Sequence, residues 1–237
     1  MTNTLPMKAK VMIGMVAVAS LCALSFGVAR WQSQAWPQLV LLLIAAPLSS
    51  RLKVKLPGMT SSMSGSFPVI LLGVTQLGLF GSLLVAVTAA VAQSYTSGGK
   101  TKSIQFIFNA CTLLNAAGLA YLAYHSQIFA AHRAGHTMSL VLASATYFLA
   151  NTAPVASIIG LTEGGNPFAL WHKVFLWSFP NYLIGAGLTA IVSAFTTVSG
   201  LATVATLLAV LYGVYQSYKV YVGRADQTQP EVMAAGR

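Results

Sequence analysis

Carboxylates are nearly absent from this chain. Only Glu163, Asp226 and Glu231 are acidic among 237 residues, and two of them sit in the last dozen positions. The body of the chain therefore has no pair of carboxylates to work as general acid and base. Charged residues of either sign make up 7%, where a soluble domain carries about 25%, so water is not the main solvent of this molecule. Cysteine is scarce as well. Cys22 and Cys111 both lie inside apolar runs, where a lone thiol acts as a small packing group and builds neither a disulfide framework nor a metal site. The phosphate-binding glycine loop, the G-x-S-x-G elbow and the H-E-x-x-H pair are all missing. A non-enzymatic protein without a cofactor or metal is expected.

What is present is apolar: 56% of the residues, with a mean hydropathy of +0.73. Apolar segments run over roughly 11–29, 36–50, 67–95, 104–124, 137–162, 174–196 and 200–222. The first follows Lys8 and Lys10 as a signal peptide would. It is, however, about as long as a full crossing of ~20 residues, and reads as a retained first helix. The third is too long for one crossing and too short for two. Gly73, Gln76, Gly78 and Gly81 interrupt it near the middle, which predicts a hairpin of short helices over 67–78 and 81–95. Charge supports that reading. With the N-terminus inside and 67–95 returning to its own side, eleven of the thirteen basic residues become cytoplasmic, leaving out only Arg30 and Arg133. A single crossing would instead expose Lys100, Lys102 and the three basic residues of the tail, against the positive-inside tendency. The net charge of +10 is spread in short groups between apolar runs, which speaks against nucleic acid as a partner. The expected fold is all-α, a polytopic membrane bundle of about eight segments in a single domain, 1–222. A short polar tail, 223–237, is expected to be disordered.

Between the second and third segments, Leu52, Val54 and Leu56 alternate with Arg51, Lys53 and Lys55. A period of two predicts an extended element over 51–65, with Pro57-Gly58 at its turn. On the cytoplasmic surface the three basic residues would meet anionic headgroups, each worth about 1 kcal/mol.

Polar side chains at membrane depth are costly, and so are candidates for function. Gln105, Asn109 and Thr112 are spaced i, i+4 and i+7 on one helical face, with Asn115 beside them. Asn151 and Thr152 precede Pro154, which frees a backbone carbonyl. Asn181 and Tyr182 follow Pro180 on the next helix. Converging, these groups would form an uncharged pocket rimmed by Trp171, Trp177 and Tyr147, suited to a neutral or aromatic small molecule. The alternative role is interhelical bonding. Glu163, ahead of the turn Gly164-Gly165-Asn166-Pro167, is expected at the interface with Lys173 or His172 as its partner. His132 and His136 are too few for a metal site. On the first helix, Ala19 and Ala23 form a small-residue face for close helix packing, within the chain or on a partner.

Several stretches together resemble the MASE-type integral membrane sensor domains of bacteria, which stand before HD-GYP or diguanylate cyclase domains. They are Arg51 through Leu56-Pro57-Gly58, Met63-Ser64-Gly65-Ser66-Phe67 with the hairpin, Phe108-Asn109-Ala110, Asn151-Thr152, Leu176-Trp177 and Pro180-Asn181-Tyr182. The likeness covers about residues 36 to 222. It implies an inner-membrane module that senses an input and hands it to a cytoplasmic output domain. No such domain follows Val222 here, so the output is expected on a separate signalling protein. The hairpin from Gly73 through Gly78-Leu79-Phe80-Gly81 is also similar to the vitamin-binding component of energy-coupling-factor transporters. In that likeness Ala19 and Ala23 would face the coupling subunit. A purely structural membrane protein is the third reading.

Overall fold

The structure, a computed structural model, describes residues 5–30, 36–55, 62–95, 103–129, 135–194, 202, 204–213 and 215–216. These fold into helices joined by one small ribbon: α1 (Met7–Ala29), α2 (Trp36–Ser50), β1 (Lys53–Lys55), β2 (Ser62–Ser64), α3 (Ser66–Gln76), α4 (Leu79–Tyr95), α5 (Ser103–Tyr124), α6 (Gly135–Glu163), α7 (Pro167–Leu170) and α8 (Phe179–Ala194). A further short helix, α9 (Val204–Gly213), follows. The expected tail, 223–237, lies outside the described residues.

Length separates these helices into two groups. Met7–Ala29, Ser103–Phe129 and Gly135–Glu163 are long and apolar enough to cross a membrane, and α7 with α8 adds a fourth span if that bent pair counts as one. The other apolar helices, α2, α3, α4 and α9, are each 17 residues or shorter, below the ~20 residues of a straight crossing. The two hairpin helices are short, as the glycine-marked break predicts, and α2 and α9 are short as well. The short helices depend on neighbours to cover their ends.

The hairpin is present, with its turn two residues earlier than expected. Leu77 is extended and ends α3, donating its N–H to Gly73. The returning helix places Ser82 and Val85 of α4 beside Gly73. Ser82 Oγ donates to the carbonyls of Gly73 and Gly78 at 3.0 and 3.1 Å, a second bond to each beside the backbone N–H groups of Leu77 and Ser82, and so ties the two sides of the break together. The carbonyl of Val74, which the break does leave without a helical N–H, takes a hydrogen bond from Nε2 of His125, 3.2 Å away at the end of α5. The bond fixes the proton on that nitrogen. At the other end, Gln93 of α4 donates to Ser66 at the start of α3 at 2.8 Å, so both hairpin ends lie together.

The ribbon is the extended element that the alternation in 51–65 predicts. β1 and β2 are antiparallel, pairing Lys53 with Ser64, Val54 with Met63 and Lys55 with Ser62. The predicted turn at Pro57-Gly58 lies outside the described residues. Gly65 ties the ribbon to both flanking helices, donating its N–H to Leu52 at 3.0 Å and lying against the Ser49 carbonyl. Asn166 caps α7, its side chain accepting from the N–H groups of Phe168 and Ala169 with Pro167 in the first turn, and Gly164 before it has φ 75°. That is the predicted turn, built with the residues such turns favour.

The core centres on α3. Every residue from Ser66 to Val74 is buried, enclosed by α2, α4, α5 and α8. The faces turned inward on α4 and α5 are rich in alanine: Ala86, Ala89 and Ala90, then Ala116, Ala117 and Ala120. Small side chains let helix backbones approach closely, which is how helices associate when the surrounding solvent is as apolar as they are. Ser20 of α1 bonds the Cys111 carbonyl of α5, and Ala23 lies near Gly118, so α1 and α5 run parallel. Leu83 of α4 also meets Gly118, and α4 runs the other way. The start of α1, the end of α2 and the base of the hairpin consequently share one end of the bundle.

Candidate functional site

The residues singled out by polarity fall into three places. Asn151, Thr152 and Tyr182 come together where α6 meets α8. Asn151 Nδ2 donates to the Tyr182 hydroxyl at 3.2 Å, and Ser144 Oγ donates to the Tyr182 carbonyl at 2.9 Å. Trp171 Nε1 donates to Thr152 Oγ1 at 2.9 Å, and the Thr152 hydroxyl in turn donates to the Phe148 carbonyl. Rings fill the space between. Phe67 of α3 lies 4.9 Å from Tyr147 and 4.8 Å from Tyr182, centre to centre, and Phe148 meets Phe179 at a tilt of 55°. A side chain at Gly185 would strike the Phe67 ring, its Cβ falling 2.6 Å from Cδ1. Tyr147, Phe148, Thr152 and Tyr182 are buried, while Asn151, Trp171 and Asn181 are half-buried. These bonds join α6 to α8 and to Trp171, while the Asn151 amide oxygen has no hydrogen bond among the described residues. The expected rim residue Trp177 has its side chain outside the described residues.

Gln105 and Asn109 are elsewhere. Both are exposed on the first turns of α5, whereas Thr112 is buried and its hydroxyl lacks a hydrogen-bond partner. The three do share a helical face, as the spacing requires. That face is bare at Gln105 and Asn109 and covered at Thr112. Among the described residues Gln105 and Asn109 make no hydrogen bond to the α6–α8 cluster. Glu163, exposed at the end of α6, pairs with neither Lys173 nor His172 among the described residues.

A cavity of about 350 Å³ opens in a third place, between α1, α5 and α6. Ala19 and Ala23 form its α1 wall, Asn115 and Gly118 its α5 wall, and Ala150 and Pro154 its α6 wall. The exposed side chains of Phe26, Leu119 and Leu122 stand at its edge. Asn115 Nδ2 donates to the Val16 carbonyl of α1 at 2.9 Å, which holds the groove's two longer walls together. No family model, curated protein or solved structure matches this chain. The groove is thus read on its own geometry. Sequence reasoning noticed Asn115 only as a neighbour of the Gln105 stripe and treated Ala19 and Ala23 as a packing face. In the structure Ala23 does pack within the chain, half-buried, while Ala19 is exposed to the groove. The available signal was Pro154, whose freed carbonyl had been tied to Asn151 instead.

At the ribbon, Arg51 is exposed and the backbones of Lys53 and Lys55 are paired. The side chains of the two lysines lie outside the described residues.

Proposed function

We propose that this chain is a polytopic membrane protein of eight apolar segments that binds a small apolar molecule and passes this input to a separate cytoplasmic signalling protein, without catalysis of its own. The groove between α1, α5 and α6 carries the reading, since it is a cavity of ligand size, about 350 Å³, walled by helices that are themselves apolar and exposed. Such concave, mostly apolar sites with few polar groups are the usual form of small-molecule sites between helices. The bilayer is a bacterial inner membrane, and both termini are cytoplasmic. Lys8, Lys10 and Arg51 sit at the same end of the bundle and Arg30 at the other, as the positive-inside tendency requires. The basic ribbon at that end adjoins the buried hairpin through Gly65 and faces the compartment where a partner would wait. A transporter subunit is the second reading. It is favoured by α1, of whose most apolar window only 11% is buried, leaving a long free face for a coupling subunit.

Crosslinking in native membranes followed by affinity purification and mass spectrometry separates the two. Recovery of a soluble signalling enzyme supports the sensor. Recovery of an ATPase with a membrane coupling subunit overturns it in favour of transport. Orientation is tested with single cysteines at positions 8, 30 and 51, after Cys22 and Cys111 are changed to serine. An impermeant maleimide applied to intact cells should label position 30 alone.

A further inference from the structure

We infer that the groove between α1, α5 and α6 selects apolar molecules that carry a hydroxyl or N–H donor, and discriminates against the same molecules with that donor capped. The inference rests on the groove being the input site. Its polar complement is one-sided. Asn115 commits its amide nitrogen to the Val16 carbonyl, and its oxygen has no hydrogen bond among the described residues. Pro154 has no N–H to return to the carbonyl of Ala150 one turn before it, and both residues line the groove. The wall therefore offers acceptors from two helices while the backbone donors around it are engaged within helices.

Depth makes this asymmetry count. Asn115 is twelve residues beyond Ser103, where α5 begins, and at 1.5 Å per residue it lies roughly 18 Å along the helix axis. That is near the middle of a hydrocarbon layer about 30 Å thick, where no water is at hand to satisfy an acceptor. A ligand donor would supply what the bilayer cannot. Anions fit badly, because no cationic side chain lines the groove and a carboxylate or phosphate would set its oxygens against those of Asn115 and Ala150. An alcohol, a phenol or a secondary amide on an apolar body is the matching chemistry. Ala19, Ala23 and Gly118 make room for that body, and the exposed rim at Leu119 and Leu122 opens toward lipid.

The test uses the full chain in lipid nanodiscs with two photoreactive probes, a diazirine-bearing decanol and its methyl ether, each competed by the unlabelled compound. Labelled positions are mapped by mass spectrometry. Displaceable labelling at Leu119, Leu122 or Ala150 should be about 5- to 10-fold stronger with the alcohol, the range expected for one good hydrogen bond. Pro154→Ala restores an N–H to α6 and should shrink that preference severalfold. Asn115→Leu should bring the alcohol down to the level of the ether. Leu122→Trp, a change at the exposed rim that leaves buried packing alone, should abolish displaceable labelling by both probes. Thermal melting of each variant in the same nanodiscs identifies any that fail to fold. Equal, displaceable labelling by both probes overturns the donor preference while leaving the groove as a site. Displaceable labelling that Leu122→Trp does not touch, or none in the groove, overturns the site itself.

Discussion

α1 and α3 are both apolar on every side, yet they occupy opposite environments. α1 has 23 residues and shows most of its surface, with Val11, Met15, Val18 and Leu21 all exposed. α3 has 11 and is buried over nine consecutive positions. In water such uniformly apolar helices would both be hidden. In lipid, apolarity admits a helix to the membrane without choosing its neighbours, and length makes the choice here. α1 can cross with all its backbone bonds internal. α3, at roughly 16 Å, cannot, and its ends must be satisfied by protein. His125 does so for the Val74 carbonyl, Ser82 and Gln93 tie α3 to α4 at its two ends, and alanine-rich faces close around the rest.

This contrast can be tested by unfolding titrations in mixed micelles. Leu71→Ala, in the fully enclosed stretch of α3, should cost the most, about 2–5 kcal/mol, as buried leucine truncations do. Gly185→Ala comes next, at about 1–3 kcal/mol, because the Phe67 ring it would strike is held by Tyr147 and Tyr182 and cannot swing aside. Asn151→Leu should cost about 0.6 kcal/mol and at most roughly 1.7, the range of interhelical polar contacts in membranes. Val18→Ala, on the bare face of α1, should stay within about 0.5 kcal/mol. A loss at Val18 as large as that at Leu71 would break the contrast, and would mean that a second helix covers α1 in the membrane.

The parts of the fold that were legible in the sequence are those written in local chemistry. Gly73, Gln76, Gly78 and Gly81 marked the hairpin, and the alternation around Lys53 and Lys55 marked the ribbon. Gly164-Gly165-Asn166-Pro167 spelled out a turn and a cap. The hairpin boundary was misplaced by two residues because Leu77, an ordinary helix former, is the residue that turns extended. The site was far less legible. In an all-apolar chain no stripe of polarity tells which face of a helix is covered. Gln105, Asn109 and Thr112 therefore looked like one surface, although packing reaches only the last of them. Asn151 and Tyr182, each placed near a proline, are joined by a hydrogen bond between α6 and α8. The groove depends on how α1 lies along α5, a contact between residues about a hundred positions apart, and no local spacing encodes that.

The bond from His125 to Val74 spans fifty-one positions, and this sets a schedule for the chain as it is made. Synthesis delivers the hairpin first, with one carbonyl at its tip lacking a donor. The missing proton arrives only when the last turn of α5 has followed. Until then the hairpin has reason to linger at the insertion machinery or near the interface, where water can stand in. Packing around the hairpin is accordingly complete only once the end of the fifth helix is in place.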